Sequence, residues 1–221
     1  MKVLLKFSFL LVVLSLAFTS CKKAPKGEAA KTGEAANNPA KAAENAKSYI
    51  VENSQVLWTG TKVGGQHAGT IAIQKGELTA VNGTLGSGSF VLDMNSITNT
   101  DLEAGKGKEK LEGHLKNEDF FDVANHPTGT FKITSVTPLS GSTDANTSVT
   151  GDLTLKGITK SITFPTNILA VGNKISAVSP AFKINRTDWD IKYGSGLLGT
   201  AADKIIHDEI SLVLNISASA K

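Results

Sequence analysis

The order of apolar and polar positions divides the chain into three stretches. Phe7 to Phe18 form an apolar run interrupted by Ser8 and Ser15. Residues 22–47 contain only Lys, Ala, Glu, Asn, Gly, Pro and Thr, with no aromatic or branched apolar side chain. From Ser48 onward the texture changes to short alternating runs. Phe90, Leu92 and Met94 alternate with Val91, Asp93 and Asn95 inside 87–97. Phe131 and Ile133 alternate inside 130–136, and Leu153 and Leu155 inside 152–156. Ile162 and Phe164 follow before Pro165, then Phe182 and Ile184. The last run sets Ile210, Leu212, Leu214 and Ile216 against Ser211, Val213 and Asn215. A period of two is the pattern of a strand with one face buried. Gly64-Gly65, Asn82-Gly83, Gly141-Ser142, Lys156-Gly157 and Gly172-Asn173 supply turns between these runs. Many short strands without long helices between them predict an all-β, antiparallel sandwich or barrel. Phe90, Leu92, Phe131, Ile133, Leu153 and Leu155 share the inward phase, as do Phe164, Phe182, Ile184, Leu212 and Leu214.

One stretch departs from this rhythm. Thr98 to Pro127 is rich in Glu, Lys and Asp, with Leu111 and Leu115 four apart. Asn117 can cap a new turn, because Glu118 and Asp119 suit the positive end of a helix. Phe120, Phe121 and Val123 then offer apolar contacts. The spacing predicts one or two short helical segments around 99–126, lying across an end of the sheet as a lid.

The first stretch reads as an export signal. Lys2 and Lys6 precede the apolar run, which is too short for a membrane span of about 20 apolar residues. Thr19-Ser20 precedes Cys21, the only cysteine in the chain. Leu16-Ala17-Phe18-Thr19-Ser20-Cys21 resembles a lipobox. Residues 1–20 are thus expected to be removed and Cys21 to carry acyl chains that anchor the protein to a membrane; two chains hold far better than one. The expected location is the cell envelope, facing the periplasm or on the outer surface. Residues 21–47 read as the lipidated cysteine and a disordered tether, since they have no apolar side chain to offset the entropy of ordering.

Charge narrows the partners. Without the signal the chain carries 21 basic and 20 acidic residues; beyond residue 47 it carries 15 basic and 17 acidic. The basic character therefore resides in the signal and the tether. The folded part has no basic field for nucleic acid.

Chemical motifs are sparse. His67, His114, His126 and His207 lack ligand spacing, so no metal is expected. Asp188 and Asp190 are expected on one strand face on either side of Trp189, whereas acid–base chemistry needs a facing carboxylate pair. No nucleophile elbow, phosphate loop or dinucleotide fingerprint occurs, so no enzymatic activity and no cofactor are expected. Arg186 is the sole arginine. Its fork suits a carboxylate or phosphate ligand, or equally a salt bridge to Asp188 or to an acidic residue on a neighbouring strand.

Several blocks together carry a family resemblance. Leu115-Lys116-Asn117-Glu118-Asp119-Phe120-Phe121-Asp122-Val123, then His126-Pro127 and Thr130-Phe131, resembles the signature of the YceI-like, polyisoprenoid-binding family. Val56 to Lys62 with His67-Ala68-Gly69 is similar to that family's opening strands. Gly151 to Lys160 is similar to its central hairpin, and Ile184 to Trp189 to its late arginine-aromatic strand. The blocks run in order from Tyr49 to Ala218. Two positions depart: Asp190 stands where many members carry glycine, which bears on a bulge there, and His126 replaces the more usual tyrosine.

The resemblance implies an eight-stranded, lipocalin-like antiparallel barrel over 48–221 with an elongated apolar cavity. It implies a polyisoprenoid ligand, such as a quinone or a prenyl phosphate, or another long-chain amphiphile. The eleven inward residues would then line a tube. If the ligand carries a diphosphate or quinone head group, Arg186 and Lys183 are the first candidates to meet it, then His67. The expected role is a carrier or reservoir, with a stress-related role included. A barrel filled by its own side chains, serving as an envelope scaffold or stress protein without lipid, is the other reading; a homodimer is left open.

Overall fold

The structure is a computed structural model that describes residues 26–221. The expected signal at 1–20 and Cys21 lie outside the described residues. Strands β1 (Glu28–Ala29) and β2 (Lys31–Glu34) precede three long strands, β3 (Lys47–Lys62), β4 (Gly65–Val81) and β5 (Thr84–Asp93). After β6 (Thr98–Asn99) and helix α1 (Lys108–Lys116) come β7 (Thr128–Pro138), β8 (Thr147–Leu155), β9 (Ile158–Val171) and β10 (Lys174–Val178). The chain ends with β11 (Phe182–Asn185) and β12 (Ile206–Ala220).

β3, β4, β5, β7, β8 and β9 pair in that order, each antiparallel to the next, and β9 pairs on to β10. β10 and β11 both lie along β12, which pairs back onto β3 with Leu212 opposite Trp58. β10 and β11 are one barrel strand interrupted at 179–181, so the wall is a closed, eight-stranded antiparallel barrel. Pro180 sits at the interruption, where it has no N–H to offer the ladder. Buried Ser179 takes its place: its Oγ accepts the Leu214 N–H at 2.8 Å, and its own N–H donates to the Leu214 carbonyl.

Strand β9 runs through Pro165. Pro165 stands opposite Ser148 of β8, and on the other edge of β9 it falls in the gap between the part paired with β2 at 160–163 and the part paired with β10 at 167–171.

The wall bends by shifting register. On β3 the buried positions are Tyr49 and Val51, then Ser54, Val56 and Trp58. The phase changes at Asn53 (φ +44°), opposite a register shift between Asn215 and Ser217 of β12. β4 shifts near Ile73 and β7 between Ile133 and Ser135. Each bulge adds one residue and turns the strand. The helical expectation over 99–126 resolves into the single helix α1 and a turn through 117–126.

Residues 26–47 correct the expectation of a disordered tether. They form a strap that fills a split in the barrel. β9 and β11 separate where β10 gives way to β11, and the strap lies between them. Glu28 and Ala29 run parallel to Phe182 and Lys183, and Lys31–Glu34 run antiparallel to Lys160–Thr163. The Ala30 N–H donates to the Lys183 carbonyl at 2.8 Å, and Lys160 pairs with Glu34 at 2.7 Å. At Gly27 a Cβ would lie 2.5 Å from the Ala181 carbonyl oxygen, so only glycine can approach so closely. Further on, the Ala36 and Asn37 N–H groups each donate to one carboxylate oxygen of Asp152, both at 2.9 Å. Asp152 is buried on β8 between Gly151 and Leu153, on the outer side of the wall. The Ala40 N–H then donates to the Ile133 carbonyl at the β7 bulge. Composition fails as a guide here because ladder bonds use the backbone, which every residue except proline carries in full.

Asp152→Ala should therefore release the strap. Charge-assisted hydrogen bonds contribute about 1.5–3 kcal/mol each, and two are lost. Amide exchange at Ala36 and Asn37 should accelerate at least tenfold while the strands β3–β5 stay protected. Unchanged protection at these two amides would refute the role given to Asp152.

Candidate functional site

The barrel encloses a cavity of about 120 Å³ whose wall is apolar. Side chains from every barrel strand reach it, because inward positions alternate with outward ones along each strand. Phe90, Leu92, Phe131, Ile133, Leu153 and Leu155 line it, as do Phe164, Phe182, Ile184, Leu212 and Leu214. The structure thus brings all eleven inward-phase residues to one cavity. Phe164 stacks on Phe182 with centroids 4.5 Å apart, and Phe131 lies 5.7 Å from Phe164. Gly151 makes the room for this row: a Cβ there would sit 2.3 Å from the Phe131 ring.

Other lining residues carried no clear signal. Val56, Ile71, Leu78 and Leu85 lie on β3, β4 and β5, where shifts of phase break the alternation. Phe121 and Ile191 reach in from connecting segments rather than from strands. Thr166 is the one uncharged polar residue in the lining, and its buried hydroxyl has no hydrogen-bond partner among the described residues. Trp58, buried on the inner face of β3, has an unpartnered Nε1 as well.

The three head-group candidates are not brought together. Arg186 borders the cavity but is 2% exposed, and its guanidinium is fully engaged within the protein. Nη1 donates to the Ile191 carbonyl at 2.7 Å, Nη2 to the Ile206 carbonyl and Asp208 Oδ1, and Nε to the His207 carbonyl. Burial pushes its pKa below the ordinary value, and Asp208 opposes that shift. Asp208 also accepts the Ser195 hydroxyl at 2.9 Å, so a chain from buried Arg186 through partly exposed Asp208 to buried Ser195 braces residues 190–205 against β12. Lys183 points outward between inward Phe182 and Ile184 and pairs with Glu209 at 2.8 Å. His67 lies outside the lining set and is bound to Asp101 at 2.8 Å. A head-group cluster of Arg186, Lys183 and His67 is therefore corrected: each already has a partner, and the wall separates them.

The aspartate pair is corrected too. Strand β11 ends at Asn185, whose side chain caps a 3-10 turn over Arg186–Trp189, so Asp188 and Asp190 share no strand face. Asp190 adopts a left-handed conformation (φ +57°), the geometry glycine favours, and pairs with Lys192. The Lys192 ammonium holds the Asp190 carboxyl below its ordinary value. Trp189 is completely buried and donates Nε1–H to the Leu153 carbonyl at 3.1 Å. His114 packs edge-on to Phe120 and Tyr193, His126 lies 3.9 Å from Asp122, and His207 meets Thr61. Among the described residues no three His, Cys, Asp or Glu side chains gather into a metal-binding group.

α1 lies at one end of the barrel, fixed by a carboxylate. Glu112 Oε1 accepts the Asn99 N–H at 2.8 Å and the Thr98 hydroxyl at 2.7 Å. Asp101 fixes the same corner through the Ala68 N–H, His67 and Asn99. Burial alone would raise the Asp101 carboxyl, but these donors outweigh it and hold the group below its ordinary value. Past the helix, Phe120 and Val123 are buried beneath this end and Phe121 faces the cavity.

The family described as YceI-like domain matches residues 48–218. The chain is 30% identical over 122 residues to protein YceI of Escherichia coli, a match spanning 53% of this chain and 62% of that protein. A UPF0312 protein of Pseudomonas paraeruginosa is 35% identical over 82 residues, 37% of each chain. The chain thus spans under two thirds of the length of the curated relatives it matches. BcnA of Burkholderia cenocepacia superposes with a TM-score of 0.58 at 20% identity, over 75% of this chain and 96% of its own. A polyisoprenoid binding domain from Saccharophagus degradans superposes with a TM-score of 0.56 at 13% identity, over 80% and 99%. At these identities the two structures speak for the fold. The strap lies outside the family match.

The lid's anchor carries a pH dependence. The Asn99 N–H and the Thr98 hydroxyl hold the Glu112 carboxyl below its ordinary value of 4.5, and burial only partly offsets them. A carboxyl whose folded value is lowered contributes stability that is complete above its unfolded value and is lost as pH falls below it. Amides of Leu111–Lys116 should therefore lose protection as the pH drops below 4.5. Glu112→Gln should loosen the helix at neutral pH and flatten that response; an unaltered acid profile in the variant would exclude Glu112 as its source.

Proposed function

Because the chain belongs to the YceI-like domain family, we propose that its barrel binds a polyisoprenoid, or a similar long-chain amphiphile, as a carrier or reservoir in the cell envelope. The observation that carries this reading is the apolar cavity running inside a closed wall. Covering an alkyl chain stabilises it by about 0.8 kcal/mol per buried methylene. The Saccharophagus neighbour, named as a polyisoprenoid binding domain, supports the same ligand class. A cavity of about 120 Å³ is close to the size that accepts a benzene-sized molecule. A longer chain therefore enters as rings such as Phe131, Phe164 and Phe182 turn aside. Inside, Thr166 offers a free hydroxyl to a ligand oxygen, such as that of a quinone or a prenyl phosphate. The protein binds without chemical turnover in this reading. The stacking of Phe164 on Phe182 favours a second reading, a barrel filled by its own side chains that serves as an envelope scaffold.

Leu153→Trp separates the two. In a ligand tube the added bulk obstructs the ligand, so organic extraction and mass spectrometry should find lipid with the parent protein and little with the variant, at near-normal thermal stability. In a filled core the same change overpacks and costs about 1–3 kcal/mol, and neither protein carries lipid. That second pattern refutes the carrier.

Membrane attachment belongs to the proposal through Cys21, the sole cysteine, placed after the apolar run and Thr19-Ser20. Cys21→Ser should abolish fatty-acid labelling and leave the product soluble or unprocessed. Continued labelling and membrane fractionation of that variant would refute the lipid anchor.

A further inference from the structure

Both ends of the barrel are packed with side chains. Phe120 and Val123 are buried beneath α1, and Phe121 reaches inward from the same turn. At the far end Tyr49, Leu78, Ile175 and Ala218 are buried as well. A long-chain ligand therefore has to unpack one end or pass through the wall. Most of the wall resists passage: parting β3 from β4, for example, breaks a ladder that runs from Lys47 to Lys62. The split between β9 and β11 is different, because a single strap stands in it.

The strap is held lightly. Glu28 and Ala29 pair with β11, and Lys31 to Glu34 with β9. These six residues are exposed, and Ala30 between them packs only partly buried against the core. The Lys160–Glu34 pair lies at the surface, where ion pairs contribute little. Segments with few buried apolar contacts are the first to open. Neighbouring strands lie about 4.8 Å apart, so lifting the strap leaves a slot about 10 Å wide between the β9 and β11 backbones. A methylene chain, whose carbons approach other carbons to about 4 Å, passes through such a slot.

The rings behind the strap fit the same role. Val178 of β10 stands opposite Asn167 of β9, and carrying that register onward brings Phe182 level with Thr163 and Phe164. Phe164 comes from one lip of the split and Phe182 from the other. They stack face to face inside the cavity wall, with 4.5 Å between centroids and 6° between planes. In the strap, Glu28 lies beside Phe182 and Lys31 beside Thr163. The stack thus closes from within the slot that the strap closes from without. Trp189 follows on the inside, reaching from the turn after β11 to the Leu153 carbonyl of β8. Once the strap is lifted, only side-chain rotations stand between solvent and the cavity.

We propose that the strap is a lateral gate: long-chain ligands enter and leave the cavity between β9 and β11 when residues 27–34 lift from the wall. The gate rests on the ligand-binding reading above. Gly27→Ala sets a Cβ against the Ala181 carbonyl, and Ala30→Pro removes the donor to the Lys183 carbonyl, so each weakens strap docking and changes no barrel residue. Glu112→Gln loosens α1 instead and tests the barrel end as the doorway. The full chain is mixed with the apolar fluorophore phenylnaphthylamine, and uptake and release are followed by stopped flow. Both strap variants should speed uptake and release together by about fivefold or more, the scale of one lost hydrogen bond, with Kd within about twofold of the parent. Glu112→Gln should change neither rate. Parent-like rates in a folded strap variant, or acceleration by Glu112→Gln, overturn the gate. A parent protein that takes up no fluorophore refutes the ligand-binding reading, and the gate is then decided without a ligand. In a Trp58→Phe background, acrylamide quenching of buried Trp189 should rise about twofold or more in the strap variants and stay unchanged in Glu112→Gln. Unchanged quenching in the strap variants overturns the gate on its own.

Discussion

A sheet closed on itself satisfies its backbone except where two neighbouring strands part, and in this barrel the parting of β9 and β11 is the constraint the rest of the structure answers. The two strands cannot stay paired. Pro180 separates β10, which pairs with β9, from β11, which does not, and beyond β11 the chain turns at Asn185 into the 3-10 turn that sends Trp189 under β8. The donors and acceptors exposed along the split would each cost free energy if left unpaired. The strap satisfies them from both sides, first along β11 and then along β9. Its sequence is undistinguished because the task needs little beyond a backbone, a glycine for close approach and an acceptor in Asp152.

Polar and apolar demands are kept apart. The interior holds apolar side chains, with the charge of Arg186 turned away from it toward carbonyls and Asp208. Breaking a buried ion pair from one side costs about 3–5 kcal/mol, so the residues with the best credentials for ligand chemistry serve as braces. The corner at Asp101 and Glu112 repeats the scheme: carboxylates at the rim collect backbone donors and fix the segments that cross the barrel end. Among the described residues, the polar groups left without a partner on the inner side of the wall are the Thr166 hydroxyl and the Trp58 indole N–H.

How much of this was legible depended on phase. β8, β9, β11 and the second half of β12 keep a strict alternation, and their inward residues can be read from the sequence. β3, β4 and β5 carry bulges or register shifts, so Val56, Ile71 and Leu78 fall out of step with the positions before them. Asp190 shows another limit: a left-handed conformation can be held by aspartate as well as by glycine, so the substitution concealed a preserved turn. Arg186 was legible as important, but its partner Asp208 lies on a distant strand, and only the β11–β12 pairing brings the two together. The strap was illegible in principle, since composition reports side-chain burial and the strap binds through its main chain.

The strap also has a place in time. It lies near the start of the chain, while β9 and β11, which it joins, come more than a hundred residues later. A chain emerging from its N-terminus therefore carries the strap long before either partner exists. Closing so long a loop is entropically slow. β3 and β12 face the same delay, being the first and last long strands of one pairing. Folding of this domain is thus a late event that waits for the C-terminal strand. Until then the strap is an unpaired edge, and its lysines and glutamates are the charged side chains that keep such an edge from joining the wrong sheet.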